Sequence, residues 1–379
     1  MNFGFTEEQE ILRAEVRKFL DARCPMDEVR RLMESADGYS PELWKEMAEL
    51  GWLGLMIPEV HGGAELTWID LVVLLEETGR SLFPSPLLAS TLGALAIMEN
   101  ASEQQQQRWL PAIADGSRIF TVALVERSDR LGPEGVSLAG KREGDATLLT
   151  GEKLFVPDAT AATHFVLSFR RGLQPDDIGL AVIERDTEGV EVRALPCSDA
   201  TKRLGKIALD GVRIDDDAIL CPAGDGSGCG FPAVSRLLDH AAAAVTAEAI
   251  GAAEAAHALT VQYAKQRVQF GCPIGRFQGV KHPLAEMYVD IESFKSILYY
   301  AAWCLGESNH EAPLHVSMAK AYASDAITSI GVDGIELHGA IGYTWEYDAQ
   351  LYLKRSKWVK AMFGGSDYHY ERVTSLGGL

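Results

Sequence analysis

The chain has 379 residues, 47% hydrophobic and 23% charged, enough for a sizeable core in two or three domains, which excludes disorder as a global description. Its 35 Lys and Arg stand against 54 Asp and Glu, a net charge of −19. Without a Lys/Arg-rich block, this balance excludes nucleic acid and anionic membrane surfaces as partners.

No basic stretch followed by an apolar run opens the chain, so no signal peptide is expected. No apolar run approaches the roughly 20 residues that cross a bilayer. Six scattered cysteines (Cys24, Cys197, Cys221, Cys229, Cys272, Cys304) form no C-x-x-C pair and no histidines cluster, which predicts free thiols, a cytoplasmic protein and no metal site.

The first third reads helical. Thr6 caps a helix carrying Glu7 and Glu8 in its first turn and Ile11, Leu12, Val16, Phe19 and Leu20 at helical spacing. Ser40-Pro41-Glu42 starts a second helix that ends at Gly51, and Trp68–Gly79 and Gln104–Ile113 give two more. From Phe120 the period shortens to strand-like runs at 120–124, 147–150, 165–169, 180–183, 190–192 and 207–209, separated by Gly-Asp, Glu-Gly and Asp-Gly turns. Strands at this spacing without intervening helices suggest an antiparallel barrel or sandwich. A Gly-rich connector, 221–231, leads to Ala-rich helical patterns at 241–267, 280–305 and 316–337, which predict a bundle of long antiparallel helices. The fold expected is α+β and multidomain: a helical domain over 1–116, a β domain over 117–226 and a helix bundle over 227–379.

Two segments carry candidate chemistry. In Tyr263–Gln278 a long helix ends in a loop with two glycines and a proline, where Arg267 and Arg276 offer fork donors for phosphate and Phe270 and Phe277 offer flat apolar faces. The spacing fits equally a helix C-terminus with a dipole-compensating arginine and core aromatics. In His338-Gly339-Ala340-Ile341-Gly342-Tyr343 the small residues permit close backbone approach to a ligand, or mark a plain turn between helices. Glu248 on the Ala-rich helix is a possible buried base, or a paired helix glutamate.

The order of Ile57–Gly63, Glu76–Arg80, Val-Ala-Leu-Val-Glu126, Gly151-Glu-Lys153, Tyr263–Gln278 and His338–Glu346 resembles the acyl-CoA dehydrogenase family over essentially the whole chain. The form Arg-x-Gln-Phe-Gly-x-Pro-Ile-Gly-x-Phe-Gln is specific for that family. The resemblance implies an N-terminal helical domain, a middle antiparallel β-barrel and a C-terminal four-helix bundle, with FAD bound between barrel and bundle in tetramers. It assigns pyrophosphate binding to Arg267 and the wall facing a neighbour's FAD to Gln269, Phe270, Ile274, Phe277 and Gln278. Glu336, His338, Gly339 and Ala340 are placed along the same part of the cofactor. The implied chemistry removes two hydrogens from an acyl-CoA thioester: a glutamate takes the Cα proton while the flavin accepts hydride from Cβ.

Departures from the family pattern are informative. The base-bearing aromatic-Glu-Gly-Thr turn has Phe363-Gly364-Gly365-Ser366 as its counterpart, and the alternative base position of some relatives is Ala241, followed by Ala242 in place of arginine. The catalytic residue is therefore unknown, with Asp239, Glu248 and Asp367 the nearby carboxylates. In the middle domain, Arg127-Ser128-Asp129-Arg130 replaces a Pro-Gly-rich cofactor loop, and Pro157 stands where a threonine would face the flavin. This pattern resembles one subunit of a heteromeric α2β2 acyl-CoA dehydrogenase acting on bulky thioesters such as steroid side-chain CoA, with an unlike subunit supplying the base. The rival expectations are a self-sufficient homotetramer with an unconventional base and a non-catalytic CoA-thioester-binding or scaffold subunit. Implied partners are the acyl-CoA substrate, an unlike subunit or further copies of the chain, and electron-transfer flavoprotein or another acceptor.

Overall fold

The computed structural model describes residues 5–174, 177–220 and 230–378; Cys221, Cys229 and the 226/227 domain boundary lie outside them. Helix α1 (Glu7–Arg23) begins with a reciprocal capping box in which Thr6 accepts from the Gln9 backbone and Gln9 from that of Thr6. It is followed by α2 (Met26–Glu34), α3 (Pro41–Glu49), α4 (Trp68–Arg80), α5 (Leu87–Asn100) and α6 (Glu103–Ala114). Ser40 caps α3 with Pro41 at its first position, and Ser102 and Gln105 repeat the capping box on α6. Thus α2 and α5 join the four helices expected.

Eight strands follow: β1 (Phe120–Ala123), β2 (Ala139–Glu143), β3 (Ala146–Pro157), β4 (His164–Arg170), β5 (Ile178–Glu184), β6 (Val190–Leu195), β7 (Leu204–Asp215) and β8 (Ile219–Leu220). They form one sheet in the order β6-β7-β3-β2-β4-β5-β8, with β1 beside β4. Most pairs are antiparallel, but β1–β4 and β2–β4 are parallel. Among the described residues β6 and β8 remain as ends of this order, so the expected antiparallel barrel is corrected to an open, mixed sheet. The parallel β1–β4 pair accounts for the mixing: a parallel pair needs a long excursion between its strands, and here β2 and β3 make it.

The remainder is helical. The 36-residue α7 (Phe231–Gln266) leads through a hairpin of β9 (Val268–Gln269) and β10 (Cys272–Pro273) to α8 (Gln278–Gly306), α9 (Ala312–His338), α10 (Ala349–Ala361) and α11 (Ser366–Gly377). No helix among the described residues is long and apolar enough to cross a membrane. Cys272 and Cys304 are free thiols.

Contacts divide the chain into two compact units whose segments interleave in sequence. One comprises Arg31–Leu66 and Pro84–Ala241, and contains the sheet. The other comprises Met1–Arg30, Thr67–Phe83 and Ala242–Leu379, so α1 and α4 are built into the C-terminal helices and the helical core is larger than a four-helix bundle. Two glycines make this possible. A Cβ on Gly251 of α7 would sit inside the van der Waals shell of the Glu76 carbonyl oxygen of α4, and one on Gly79 would meet the Glu248 carbonyl oxygen. Around this crossing, Glu76 accepts from Arg13 at 2.6 Å and from the Tyr299 hydroxyl at 2.7 Å, and Glu77 accepts from Arg17 and Arg80. The adjacent carboxylates diverge: burial dominates at Glu76 and raises its pKa, whereas at Glu77 burial is outweighed by Arg17 and Arg80 and the pKa is lowered.

Candidate functional site

The 267–278 segment is a two-residue β-hairpin. Gln269 pairs with Cys272, leaving Phe270 and Gly271 as the loop with φ of +53° and +78°. Positive φ at both positions is the primed turn that matches strand twist, and glycine accepts it freely while phenylalanine does not. Phe270 is nonetheless held there, 92% exposed, with its ring 6.0 Å from that of Phe277 and nearly perpendicular to it. Arg267, also exposed, carries no side-chain ion pair or hydrogen bond among the described residues, and Gln269 and Gln278 are exposed beside it. Ile274 is half-buried at the start of the short turn into α8.

The second segment meets the first through a cluster of tilted aromatic rings that the sequence reading missed. His338, at the end of α9, lies 4.5 Å from the ring of Tyr263 on the last turn of α7 and 4.9 Å from Tyr347. Its Nδ1 donates to the Gly334 carbonyl at 2.6 Å, and its buried Nε2 has no hydrogen-bond partner among the described residues. Burial holds the ring's pKa below the usual histidine value, so Nε2 is an acceptor near neutral pH. Glu336, Gly339 and Ala340 are exposed next to it, with Gly339 at φ +64°. One end of the helical unit therefore gathers two exposed phenyl rings with a guanidinium and a buried imidazole nitrogen that have no partner among the described residues. This donor and ring set fits a diphosphate carrying a flat heteroaromatic base.

The candidate catalytic carboxylates are not brought together. Glu248 is buried 3.9 Å from Nη1 of the fully buried Arg355. Asp239 is buried on α7, and Asp367 is exposed in the first turn of α11. Ala241 and Ala242 are fully buried. The Phe363–Ser366 turn joins α10 to α11, and Gly364 has φ of +100°. A Cβ there would lie 2.5 Å from Cδ1 of Tyr368 and 2.9 Å from Nε2 of His369, so those rings fill the space a larger residue would use.

Lys320 of α9 lies behind this turn, fully buried, a residue no sequence motif had flagged. Its Nζ bonds the carbonyls of Val359 and Gly364, each at 2.8 Å, and Oγ of Ser324 at 2.9 Å. Burial pushes its pKa down to about 7. A neutral amine fits the same three partners, donating to two carbonyls and accepting from the hydroxyl. His369 donates from Nε2 to the Phe363 carbonyl at 3.0 Å and, by burial and then the nearby Lys320 charge, is pushed down to about 3.

In the sheet unit, Glu126 is buried and accepts from Lys153 Nζ at 2.7 Å, the Ser137 amide at 2.9 Å and the Leu138 amide at 3.1 Å; Lys153 also bonds Ser168 Oγ. Burial of Lys153, only partly offset by Glu126, pushes its pKa down to about 8. These two residues, conspicuous in the sequence, hold the sheet together with all polar groups satisfied. Phe155 is half-exposed at φ +52°, and Pro157 contributes a carbonyl that accepts from Thr121 Oγ1.

Comparison with known proteins is consistent along the whole chain. Residues 6–117 match the acyl-CoA dehydrogenase N-terminal domain and residues 228–375 the acyl-CoA dehydrogenase C-terminal domain. The chain is 31% identical to acyl-CoA dehydrogenase IpdE2 of Mycolicibacterium smegmatis, over 95% of each chain, and 32% identical to IpdE2 of Mycobacterium tuberculosis, over 92% of this chain and 91% of that one. A solved variant of the Tcur3481-Tcur3483 steroid ACAD matches at 32% identity with a TM-score of 0.87 over 98% of both chains. A chain of the ChsE4-ChsE5 complex from Mycobacterium tuberculosis matches at 25% identity with a TM-score of 0.90, over 99% of this chain and 98% of that one. Solved neighbours include an FAD-dependent dehydrogenase at 26% identity and a TM-score of 0.88, over all of both chains. The chain belongs to the acyl-CoA dehydrogenase family of FAD-dependent oxidoreductases.

Proposed function

We propose that this chain is one subunit of a heteromeric acyl-CoA dehydrogenase that introduces a Cα–Cβ double bond into an acyl-CoA thioester, paired with an unlike subunit that supplies the base. The observation carrying this reading is the contrast between an outward-facing Arg267/Phe270 hairpin and a Phe363–Ser366 turn with no carboxylate and no room for one at Gly364. The Tcur3481-Tcur3483 steroid ACAD, 32% identical to this chain, supports a bulky substrate, such as a steroid side-chain CoA.

In this reading the helical unit contributes a wall to FAD held mainly by the partner. Arg267 binds the pyrophosphate through its fork of N–H donors, and Phe270 and Phe277 cover the nucleotide's apolar face. Gln269, Ile274 and Gln278 line the same wall, with Glu336, Gly339 and Ala340 along its edge. His338, buried against the Tyr263 and Tyr347 rings, fixes the edge. The flavin supplies hydride acceptance; this chain's residues bind and orient. The three sequence domains, 1–116, 117–226 and 227–379, remain the division we assign to the chain.

The experiment is an Arg267→Ala substitution in the co-purified complex, read by flavin absorbance per heteromer. The expected result is loss of most of the flavin with the complex still assembled. Unchanged flavin content would remove Arg267 from the cofactor wall and with it the main support for this reading.

A further inference from the structure

Helix α11 is held to the helical unit by little apolar surface. Of its 12 residues Ser366 and His369 are buried, while Tyr370 and Leu376 are each 49% exposed. Its attachment is therefore polar and concentrated at its entry turn, where Phe363 and Gly364 have φ of +54° and +100°. Both carbonyls are taken inside the chain: His369 Nε2 donates to that of Phe363 at 3.0 Å and Lys320 Nζ to that of Gly364 at 2.8 Å. The same amine holds the last turn of α10 through the Val359 carbonyl, so one nitrogen joins α9, α10 and the entry to α11. An element with so few buried apolar contacts opens locally at low cost once such a tie is lost.

The surroundings of the amine decide which form it takes. Its partners are two carbonyls and the Ser324 hydroxyl, all neutral, and no carboxylate touches it among the described residues. Asp325, on its own helix, is engaged by Lys360 of α10 at 2.9 Å and accepts from Ser366 and Tyr370 of α11. On α11, His369 is neutral near pH 7 with Arg372 adding to the field on it, and Asp367 and Glu371 are exposed. Asp290 of α8, the remaining helix packed on α9, accepts from Tyr322 at 2.8 Å.

Burial, reinforced by the Lys360 charge, outweighs the attraction of Asp325 and brings Lys320 to about 7, so above that pH the amine of the closed turn is neutral. Opening the turn returns the amine to water and to its ordinary value of 10.5. Between these values the open turn binds one more proton than the closed one, so the open population grows as pH falls towards 7. Below about 7 both forms are protonated and Lys320 adds no further dependence.

We propose that Lys320 is a proton-operated latch on the Phe363–Ser366 turn: as the neutral amine it keeps α11 seated, and taking up a proton favours release of the turn and α11 together. The latch involves this chain alone, so its test stands or falls separately from the proposed function.

The test is hydrogen exchange of the full chain, read by mass spectrometry on peptides covering α11. Exchange through an ordinary opening rises about tenfold per pH unit with hydroxide. A proton taken up on opening cancels that rise, because the open population falls by about the same factor per unit. Wild type is therefore expected to exchange at a nearly constant rate from about pH 7.5 to 9.5, with single isotope envelopes, while α8 peptides show the ordinary rise. Lys320→Met, which removes the proton site, is expected to restore the rise of about tenfold per unit in α11, whatever its absolute rate. Should that variant not fold, the wild-type slope decides alone. An ordinary rise in wild type, a flat profile carried by two-peak envelopes, or a flat profile kept by Lys320→Met would overturn the latch.

Discussion

Two Phe-Gly turns with nearly the same backbone occupy opposite environments in the helical unit. Phe270-Gly271 and Phe363-Gly364 both place phenylalanine at φ near +53° and glycine beyond +75°. Phe363 is 4% exposed, with its carbonyl bonded by His369 and the next carbonyl by Lys320. Phe270 is 92% exposed and its neighbour Arg267 is unpaired among the described residues. A left-handed phenylalanine costs on the order of 1 kcal/mol, and only in the first case do packing and hydrogen bonds within the chain offset it. The difference teaches where this chain is complete by itself and where its surface fits a ligand or partner.

The comparison breaks most severely at Lys320. Lys320→Met leaves the Val359 and Gly364 carbonyls buried without donors and is expected to cost about 3 kcal/mol, read as a lowered denaturation midpoint and faster hydrogen exchange in α10 and α11. A midpoint within about 0.5 kcal/mol of wild type, the range of a neutral surface change, would show that the turn is held by packing alone. Next in size, Gly251→Ala forces α4 and α7 apart at the Glu76 carbonyl and is expected to cost about 2 kcal/mol by chemical denaturation; a neutral result would mean that the crossing is loose.

Acid titration sharpens the same contrast. His369 takes up its proton in the unfolded chain near its ordinary pKa of 6.5 but in the folded chain only near 3. The unfolded state therefore binds more protons within that window, and stability falls as pH drops from about 6.5 towards 3, by at most about 1.4 kcal/mol per pH unit from this residue. His369→Gln should flatten that limb; an unchanged pH profile would remove His369 as its source. The smallest effect is expected at the exposed turn. Phe270→Gly relieves the left-handed strain and should stabilise the isolated chain by about 0.5–1 kcal/mol while lowering flavin retention in the complex. Loss of stability in the isolated chain would mean that Phe270 packs within its own chain.

The capped helices were legible because their signals are local: Thr6 with Gln9 and Ser40 with Pro41 fix helix starts within four residues. Helix α5 was not, because it is buried almost all round and so has no amphipathic period to read. Strand β2 was hidden for the opposite reason, being polar on both faces and specified by its ladder to β3. At the site, residue types at 267–278 pointed to phosphate and ring recognition, but Phe-Gly gives no hairpin signal of the Asn-Gly kind, so the strained loop could not be foreseen. The Lys320 clamp joins residues some forty positions apart and the Tyr263–His338–Tyr347 cluster spans three elements. Neither leaves a spacing in the sequence.

The most direct measurement of the central claim is flavin absorbance against native mass for this chain purified alone and after co-purification with an unlike acyl-CoA dehydrogenase chain from the same cell. The account predicts a colourless or flavin-poor chain alone, and a flavin-bearing heteromer that loses its flavin on Arg267→Ala. A yellow homo-oligomer with one flavin per chain and dehydrogenase turnover would contradict it.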